Sequence, residues 1–355
     1  MSSTDKKEFV FVLGAGISKP AGIPLMDEFL RKSWEYHDGP DLGTGLGGHP
    51  GEIDRFTHVR THWLQSVAGD YNVERYFLSV QAQLQGHPSP PRQLRLLWSN
   101  LLYVMIRTID LAEFHGRNLC IGPKREIPQD LYRHFLDTIF RSVGPQKVAF
   151  ISFNYDLMID QALMQMNYYP QYHLEKISNI HDPPNGDKVV LLKPHGSANW
   201  FVCDSERRQT VSVHWEKGPG NLATGGMPPD PKGHEPDKNL DFLLVPPSEK
   251  EGQPTLLAPV WDKAKEVLGE AKTVFFLGYS FPETDKHIVK FLKESWGKSP
   301  PQKVVVVNPG NVKARYEQVF NEISGSLMDK VTWNTGTDKG KFETFLYEDL
   351  RSHLG

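Results

Sequence analysis

The chain is short of the residues that hold small or secreted folds together. Among 355 residues there are two cysteines, Cys120 and Cys203, and neither belongs to a C-x-x-C pair. That excludes a disulfide framework and a four-cysteine zinc ribbon, and it suits a reducing cytoplasm, which is the expected compartment. Long apolar runs are absent too. The most apolar helical stretch, LLYVMIRTIDLAEF, carries Arg107 and Asp110 and is too short to span a bilayer, and the polar opening MSSTDKKEF has no apolar core of a signal peptide. Charge of one sign is missing as well: the formal net charge is -3, with no block of like charges. Direct nucleic-acid binding and membrane attachment therefore have no electrostatic support. There is no G-x-x-x-x-G-K-[ST] phosphate loop and no internal repeat.

With 39% hydrophobic residues, the chain can bury a large core without metal or disulfide support. Four short apolar runs, FVFVL (9–13), VAFISF (148–153), TVFFL (273–277) and VVVV (304–307), each end in a glycine or asparagine turn. Such continuous runs suit strands buried on both faces. VVLLK (189–193) is a fifth expected strand and DFLLVP (241–246) another. Helical patterns follow several of them: IPLMDEFLRKSW, DLMIDQALMQM and HIVKFLKES. Strand, turn, helix, repeated, predicts an α/β protein with a Rossmann-like doubly wound parallel sheet.

More than a hundred residues separate the first two strands, too many for a simple crossover. Amphipathic patterns near 73–84, 93–114 and 129–142, with Gly/Pro-rich breaks at 39–51 and 86–91, predict an inserted helical subdomain. The expected division is 1–33 plus 144–355 for the sheet domain and 34–143 for the insert. A second excursion, 204–239, is rich in Gly, Pro and charge and is expected to be a loop or a weak hairpin.

Chemistry-bearing residues sit at the strand ends. Gly14-Ala15-Gly16 follows the first strand, in the position where backbone N–H groups and a helix N-terminus can meet a pyrophosphate. A redox-dinucleotide fingerprint would need a third glycine at position 19, where Lys19 stands, and an acidic residue roughly 20 residues on. Both are missing, which disfavours a hydride-transferring dehydrogenase. Instead Ser18 is followed by Gly22-Ile23-Pro24. Asn154 and Asp156 close the second strand, and either could equally be a turn or capping residue. His195 ends the VVLLK run in KPHGS, where a histidine can exchange a proton near neutral pH. Gly278-Tyr279-Ser280 and Asn308 end two further strands, with groups that suit phosphate or ribose hydroxyls.

Taken in order, GAGIS, AGIP, SFNYD, KPHGS, LGYS and VVNP resemble the successive cofactor-site motifs of the sirtuin superfamily. The resemblance covers about 200 residues of the sheet domain and neither the helical insert nor the C-terminal tail. It implies that Gly14, Ala15, Gly16, Ser18, Gly22, Ile23 and Pro24 surround the pyrophosphate and nicotinamide ribose of NAD. It further implies that Asn154 and Asp156 form an Asn-x-Asp motif with Asp156 helping to hold the nicotinamide side, that His195 is catalytic, that Gly278, Tyr279 and Ser280 hold phosphate, and that Asn308 contacts the adenosine ribose. Protein-deacylating sirtuins carry two cysteine pairs after the catalytic histidine, and a Phe-Gly-Glu substrate strand; this chain has neither pair and no convincing match to that strand. A zinc-free core with a helical insert is similar to the sirtuin-like NAD hydrolases of prokaryotic antiviral defence. That likeness implies NAD as substrate, no zinc, and catalysis by Asn154 and His195. It also implies control by homo-oligomerisation or by a partner subunit such as a HerA-type ATPase or a short Argonaute. Two other readings stay open: an NAD-dependent protein deacylase, and a non-catalytic module sensing NAD or ADP-ribose.

Overall fold

The computed structural model of the protein describes residues 6–39, 51–67, 69–118, 128–175, 177–179, 186–205, 208–213, 240–245, 255–282, 285–297 and 299–355. Strand β1 (Phe9–Leu13) is followed by five helices: α1 (Phe29–Asp38), α2 (Glu52–Ser66), α3 (Val73–Gln85), α4 (Arg92–Asn118) and α5 (Pro128–Val143). Then come β2 (Val148–Ser152), α6 (Met158–Gln165), β3 (Tyr168–Gln171), β4 (Ile177–Asn179) and β5 (Asp187–Leu192). Strands β6 (Gly196–Ser205), β7 (Arg208–Val213) and β8 (Leu240–Leu244) precede α7 (Ala258–Glu270) and β9 (Thr273–Leu277). The chain ends with α8 (Lys286–Trp296), β10 (Lys303–Asn308), α9 (Lys313–Ile323), β11 (Val331–Thr335) and α10 (Phe342–Glu348).

Seven strands form one sheet in the order β11-β10-β9-β1-β2-β5-β3, every pair parallel. The expected Rossmann-like doubly wound sheet is thus present. Its central strands read as unbroken apolar runs because helices cover both faces. Phe11 pairs in register with Phe150 on one side and Phe275 on the other, and the three rings stack at 5.4 and 4.5 Å. Phe135 of α5 meets that row edge-on at 5.6 Å, so α5 seals this face. On the opposite face Phe276 packs against Trp296 of α8 and Tyr316 and Phe320 of α9. From β1 the chain builds outward through β2 and β5, then returns to place β9 on the other flank of β1. That reversal puts the switch point of the sheet at the carboxyl ends of β1 and β9, the place where sheets of this class bind their ligands.

Three expectations need correction. The helix expected from Ile23 begins only at Phe29; two single 3-10 turns, Ala15–Ile17 and Lys19–Ala21, occupy the space after Gly14. The insert contains α2, unforeseen, beside the three helices that were expected; residues 40–50 of the Gly/Pro-rich break lie outside the described residues. The excursion at 204–239 opens as the hairpin of the two alternatives, β6 against β7, and this hairpin is part of a second, four-stranded sheet ordered β4-β7-β6-β8, in which β6 pairs antiparallel with both neighbours. DFLLVP contributes β8 to this sheet rather than to the large one. Residues 214–239 lie outside the described residues. No described helix is long and apolar enough to cross a membrane.

Candidate active site at the carboxyl edge of the sheet

The motifs singled out from sequence end β1, β2, β5, β9 and β10, five strands contiguous in the sheet, so their turns share one edge. The glycines there are spent on chain-to-chain contact. A Cβ on Gly14 would lie 2.5 Å from the Tyr279 Cα, one on Gly16 would lie 2.8 Å from the Gly278 Cα, and one on Gly278 would lie 2.4 Å from the Ile17 nitrogen. Gly278 also holds φ at +64°, a left-handed value that suits glycine. The β1 and β9 turns therefore interlock, with hydrogen bonds from Gly14 N–H to the Leu277 carbonyl and from Gly16 N–H to the Gly278 carbonyl, both 2.9 Å.

This changes the expected phosphate cradle. The N–H groups of Gly14, Gly16, Ile17 and Ser18 all donate to carbonyls of the protein. No α-helix starts at the turn, so the dipole of α1 does not face it. Ala15 is partly exposed, Gly22 is exposed in a left-handed C-cap at φ +86°, and Ile23 and Pro24 are buried. The structure brings the turn to the carboxyl edge of the sheet, but with these N–H groups already donating within the protein.

Asn154 is the best-determined side chain of the edge. Its Nδ2 donates to the Gly14 carbonyl at 2.9 Å and to the Ser18 hydroxyl at 3.0 Å. A carbonyl cannot donate, so the amide can point only one way. Ser18 in turn donates to Asp156 Oδ2 at 2.7 Å. Both amide hydrogens of Asn154 are committed, and Oδ1 makes no hydrogen bond among the described residues. Three segments, the β1 turn, Ser18 and the β2 turn, thus fix the amide and leave its one acceptor oxygen available at this edge.

Asp156 does not face a ligand. Its Oδ1 accepts from the N–H of Met158, the first residue of α6, at 3.1 Å, and its Oδ2 accepts from Ser18. Burial pushes its pKa above the usual carboxylate value, against the lowering effect of the Lys193 ammonium and of its two donors. Lys193, fully buried, donates to the Asp156 carbonyl at 2.6 Å and to Asp160 Oδ2 at 3.3 Å, while Tyr172 donates to Asp160 Oδ1 at 2.5 Å. The insert reaches the same loops. Tyr132 of α5 donates to the Ile17 carbonyl at 2.6 Å, and Glu113 of α4 accepts from the Leu157 N–H at 3.1 Å.

His195 is 6% exposed and lies between Phe153, at 4.9 Å between ring centroids, and Trp261 of α7, at 6.1 Å. The second sheet holds it in place: Val245, just after β8, donates its N–H to the His195 carbonyl at 2.8 Å, and Gly196 at φ +87° lets β6 pass against Leu243. Tyr155 ties the β2 turn to the same point by donating to the Val245 carbonyl at 2.6 Å. His195 Nε2 meets His287 Nε2 at 3.2 Å, and Asp285 places a carboxylate oxygen within 4.8 Å of this pair. Among the described residues these three are the one group of metal-ligand types gathered at a point.

Two expected ligand groups are turned to structural use. Tyr279 is buried, donates to the Asp285 carboxylate and packs on Phe153 and Phe281. Asn308 donates to the Tyr279 carbonyl at 3.0 Å and accepts from the Gly310 N–H at 2.8 Å, locking the β9 and β10 turns together. Ser280 is exposed beside them. Phe281 follows in a left-handed conformation, φ +52°, a strained geometry for a bulky residue that the surrounding rings of Phe276, Tyr316 and Phe320 hold. Asp285, His287 and Trp261 were missed by the sequence reading. The D-x-H spelling two residues apart at the start of a helix, directly after a strand-end motif, is the signal that could have found the first two.

No family model matches the chain, and no curated protein matches it. Solved structures of sirtuins are similar in outline. Sir2Tm bound to a propionylated peptide aligns over 99% of this chain and 95% of that chain, with a TM-score of 0.41 and 13% identity. Two structures on the basis of sirtuin substrate affinity align at TM-scores of 0.38 and 0.40 with 13% and 14% identity, over 99% and 98% of this chain and 95% of theirs. At such scores the fold class rests on the strand order and register above.

Proposed function

We propose that the protein cleaves the nicotinamide–ribose bond of NAD, releasing nicotinamide and ADP-ribose. One observation carries the reading. At the carboxyl ends of neighbouring strands an amide whose acceptor oxygen has no partner among the described residues accompanies a buried imidazole held by aromatic rings. Breaking the C–N bond sends its electron pair to the nicotinamide ring and leaves an oxocarbenium-like ribose. The oxygen of a water then bonds to that carbon, and a proton has to leave the water. Asn154 Oδ1 suits a hydrogen bond from a ribose hydroxyl or from that water, and His195 suits the base that takes the proton. Asp156 acts behind them, fixing Ser18 and through it Asn154.

The test is to incubate the purified protein with NAD and follow nicotinamide, with and without an acylated peptide. Turnover without peptide is expected, and Asn154→Ala should lower it on the order of 10²–10⁴-fold. Release that requires the peptide would make the protein a deacylase, and tight NAD binding without release under any condition would make it a sensor. A free-running NAD hydrolase would exhaust its cell, so this reading includes a gate, through self-association or a partner subunit such as a HerA-type ATPase or a short Argonaute. A role in antiphage defence by NAD depletion follows from the same reading.

A further inference from the structure

We infer that Lys193 is a positioning residue for Asn154: its buried ammonium keeps the Asp156 carboxyl charged, and that charge fixes the Ser18 hydroxyl and, through it, the Asn154 amide; this rests on the proposed role of Asn154. Lys193 follows β5 directly, two residues before His195, and is fully buried. Its Nζ donates to the Asp156 backbone carbonyl at 2.6 Å and to Asp160 Oδ2 at 3.3 Å. One ammonium thus serves two buried carboxylates, and a buried charge without a counter-charge is costly. The two are not equally supplied. Asp160 has the ammonium in direct contact and the Tyr172 hydroxyl besides, whereas the Asp156 carboxylate accepts from two neutral donors, Ser18 and the Met158 N–H, and makes no direct ion pair among the described residues.

The polarity of the chain follows from the charge on Asp156. A carboxylate can only accept, so while Asp156 is ionised the Ser18 hydrogen points to it at 2.7 Å and the Ser18 oxygen is left to accept from Asn154 Nδ2 at 3.0 Å. A proton on Asp156 Oδ2 would make that oxygen a donor to Ser18, release the Ser18 hydrogen and loosen the hold on Asn154. Burial raises the Asp156 pKa; the Lys193 charge and the Ser18 and Met158 donors lower it, and the Asp160 charge raises it again. The other titratable groups at this turn are Glu113 of α4, which accepts from the Leu157 N–H, Tyr132 of α5, which donates to the Ile17 carbonyl and feels the Asp156 charge, and Glu343 of α10, whose charge reaches Tyr132. None of them is a cation. Among the described residues Lys193 is therefore the counter-charge of Asp156. The alternative is that Lys193 serves Asp160 alone, as a tie between the end of β5 and α6. Lys193→Met and Asp160→Asn break the same ion pair from opposite ends, so as damage to a tie they act alike. On Asp156 they act oppositely, because one removes an attracting charge and the other a repelling one.

The test reads the amide directly. In ¹⁵N-labelled protein the side-chain amide of Asn154, assigned by its loss in Asn154→Ala, should shift with pH in one step as Asp156 takes up its proton, and Asp156→Asn should abolish that step. Lys193→Met should move the midpoint to higher pH and Asp160→Asn to lower pH. The acid limb of kcat should move the same way in each variant, with kcat of Lys193→Met down about tenfold or more at neutral pH and the deficit narrowing as pH rises. Where Lys193→Met does not fold, the double variant Lys193→Met/Asp160→Asn, which removes both buried charges together, serves in its place. Its midpoint should stay above that of the wild type, because the Lys193 charge acts on Asp156 more strongly than the Asp160 charge does. Shifts of the same sign in the Lys193 and Asp160 variants, a step that survives in Asp156→Asn, or a wild-type midpoint in the double variant would each overturn the inference. The amide titration is read without NAD. Absence of nicotinamide release in the wild type would therefore defeat the proposed function and leave this result standing or falling by itself.

Discussion

The hydroxyl of Ser18 carries a measurable share of the fold, because it is the middle link between Asn154 and Asp156. Replacing Ser18, 1% exposed, with alanine removes a donor to a buried carboxylate at 2.7 Å and an acceptor for an amide at 3.0 Å. Hydrogen bonds to charged groups contribute about 1.5–3 kcal/mol and neutral ones about 0.5–1.5, so Ser18→Ala should destabilise by roughly 2–4 kcal/mol at neutral pH or above. The pH dependence carries a sign. Burial already raises the folded pKa of Asp156, so the stability this group contributes is full below the ordinary carboxylate pKa and is lost as pH rises through the folded value. Removing the Ser18 donor raises that folded value further. The deficit of the variant should therefore grow with pH and be smaller at about pH 5 than at about pH 8. Urea unfolding of wild type and variant at both pH values measures it. A deficit under about 0.5 kcal/mol, or one that shrinks as pH rises, would refute the placement of Ser18 between the two side chains.

Other consequences follow from single contacts. Tyr132→Phe leaves the Ile17 carbonyl without its 2.6 Å donor and should cost about 1–3 kcal/mol in denaturant unfolding, with a fall in nicotinamide release; an unchanged midpoint would mean that the insert does not brace the β1 turn. Gly278→Ala places a Cβ 2.4 Å from the Ile17 nitrogen at a left-handed φ and should cost at least about 3 kcal/mol, whereas Gly325→Ala, with open space around it, should stay within about 0.5 kcal/mol; similar melting temperatures for the two would contradict the interlocked turns. Burial lowers the pKa values of His62, His173 and His353, so the stability they contribute is present above their ordinary pKa and lost as pH falls through the lowered values. Melting temperature should drop on acidification below about pH 6, and replacing all three with glutamine should flatten that limb.

What could be read from sequence, and what could not, divides along physical lines. Central strands of a parallel sheet are buried on both faces, so FVFVL, VAFIS, TVFFL and VVVV stand out as apolar runs wherever they occur. Edge strands carry no such mark. YYPQ is four residues long and contains a proline, and VTWNT is mostly half-buried, so both passed unnoticed. The second sheet was hidden for another reason: GSANWFVCDS follows the histidine motif and reads as its turn, although Gly196 is where the strand starts. Strand ends were legible as a set of positions, and the sheet order does bring them to one edge. Side-chain direction was not. Asn308 and Tyr279 have the atoms to bind a ribose or a phosphate, yet the structure spends them on Gly310, on Asp285 and on each other's turns. A residue type states which bonds it can make; only the chain segments that arrive beside it decide which it does make. Asn154 shows the converse. Its amide is fixed by Gly14 and Ser18, residues more than 130 positions away, and that distant clamp is what turns a common strand-end asparagine into an oriented acceptor. The same logic makes His287, 92 residues from His195, part of the site. At this edge the groups that hold the fold and the groups available for chemistry form one hydrogen-bonded system. The Ser18 and Tyr132 substitutions are therefore expected to lower stability and turnover together.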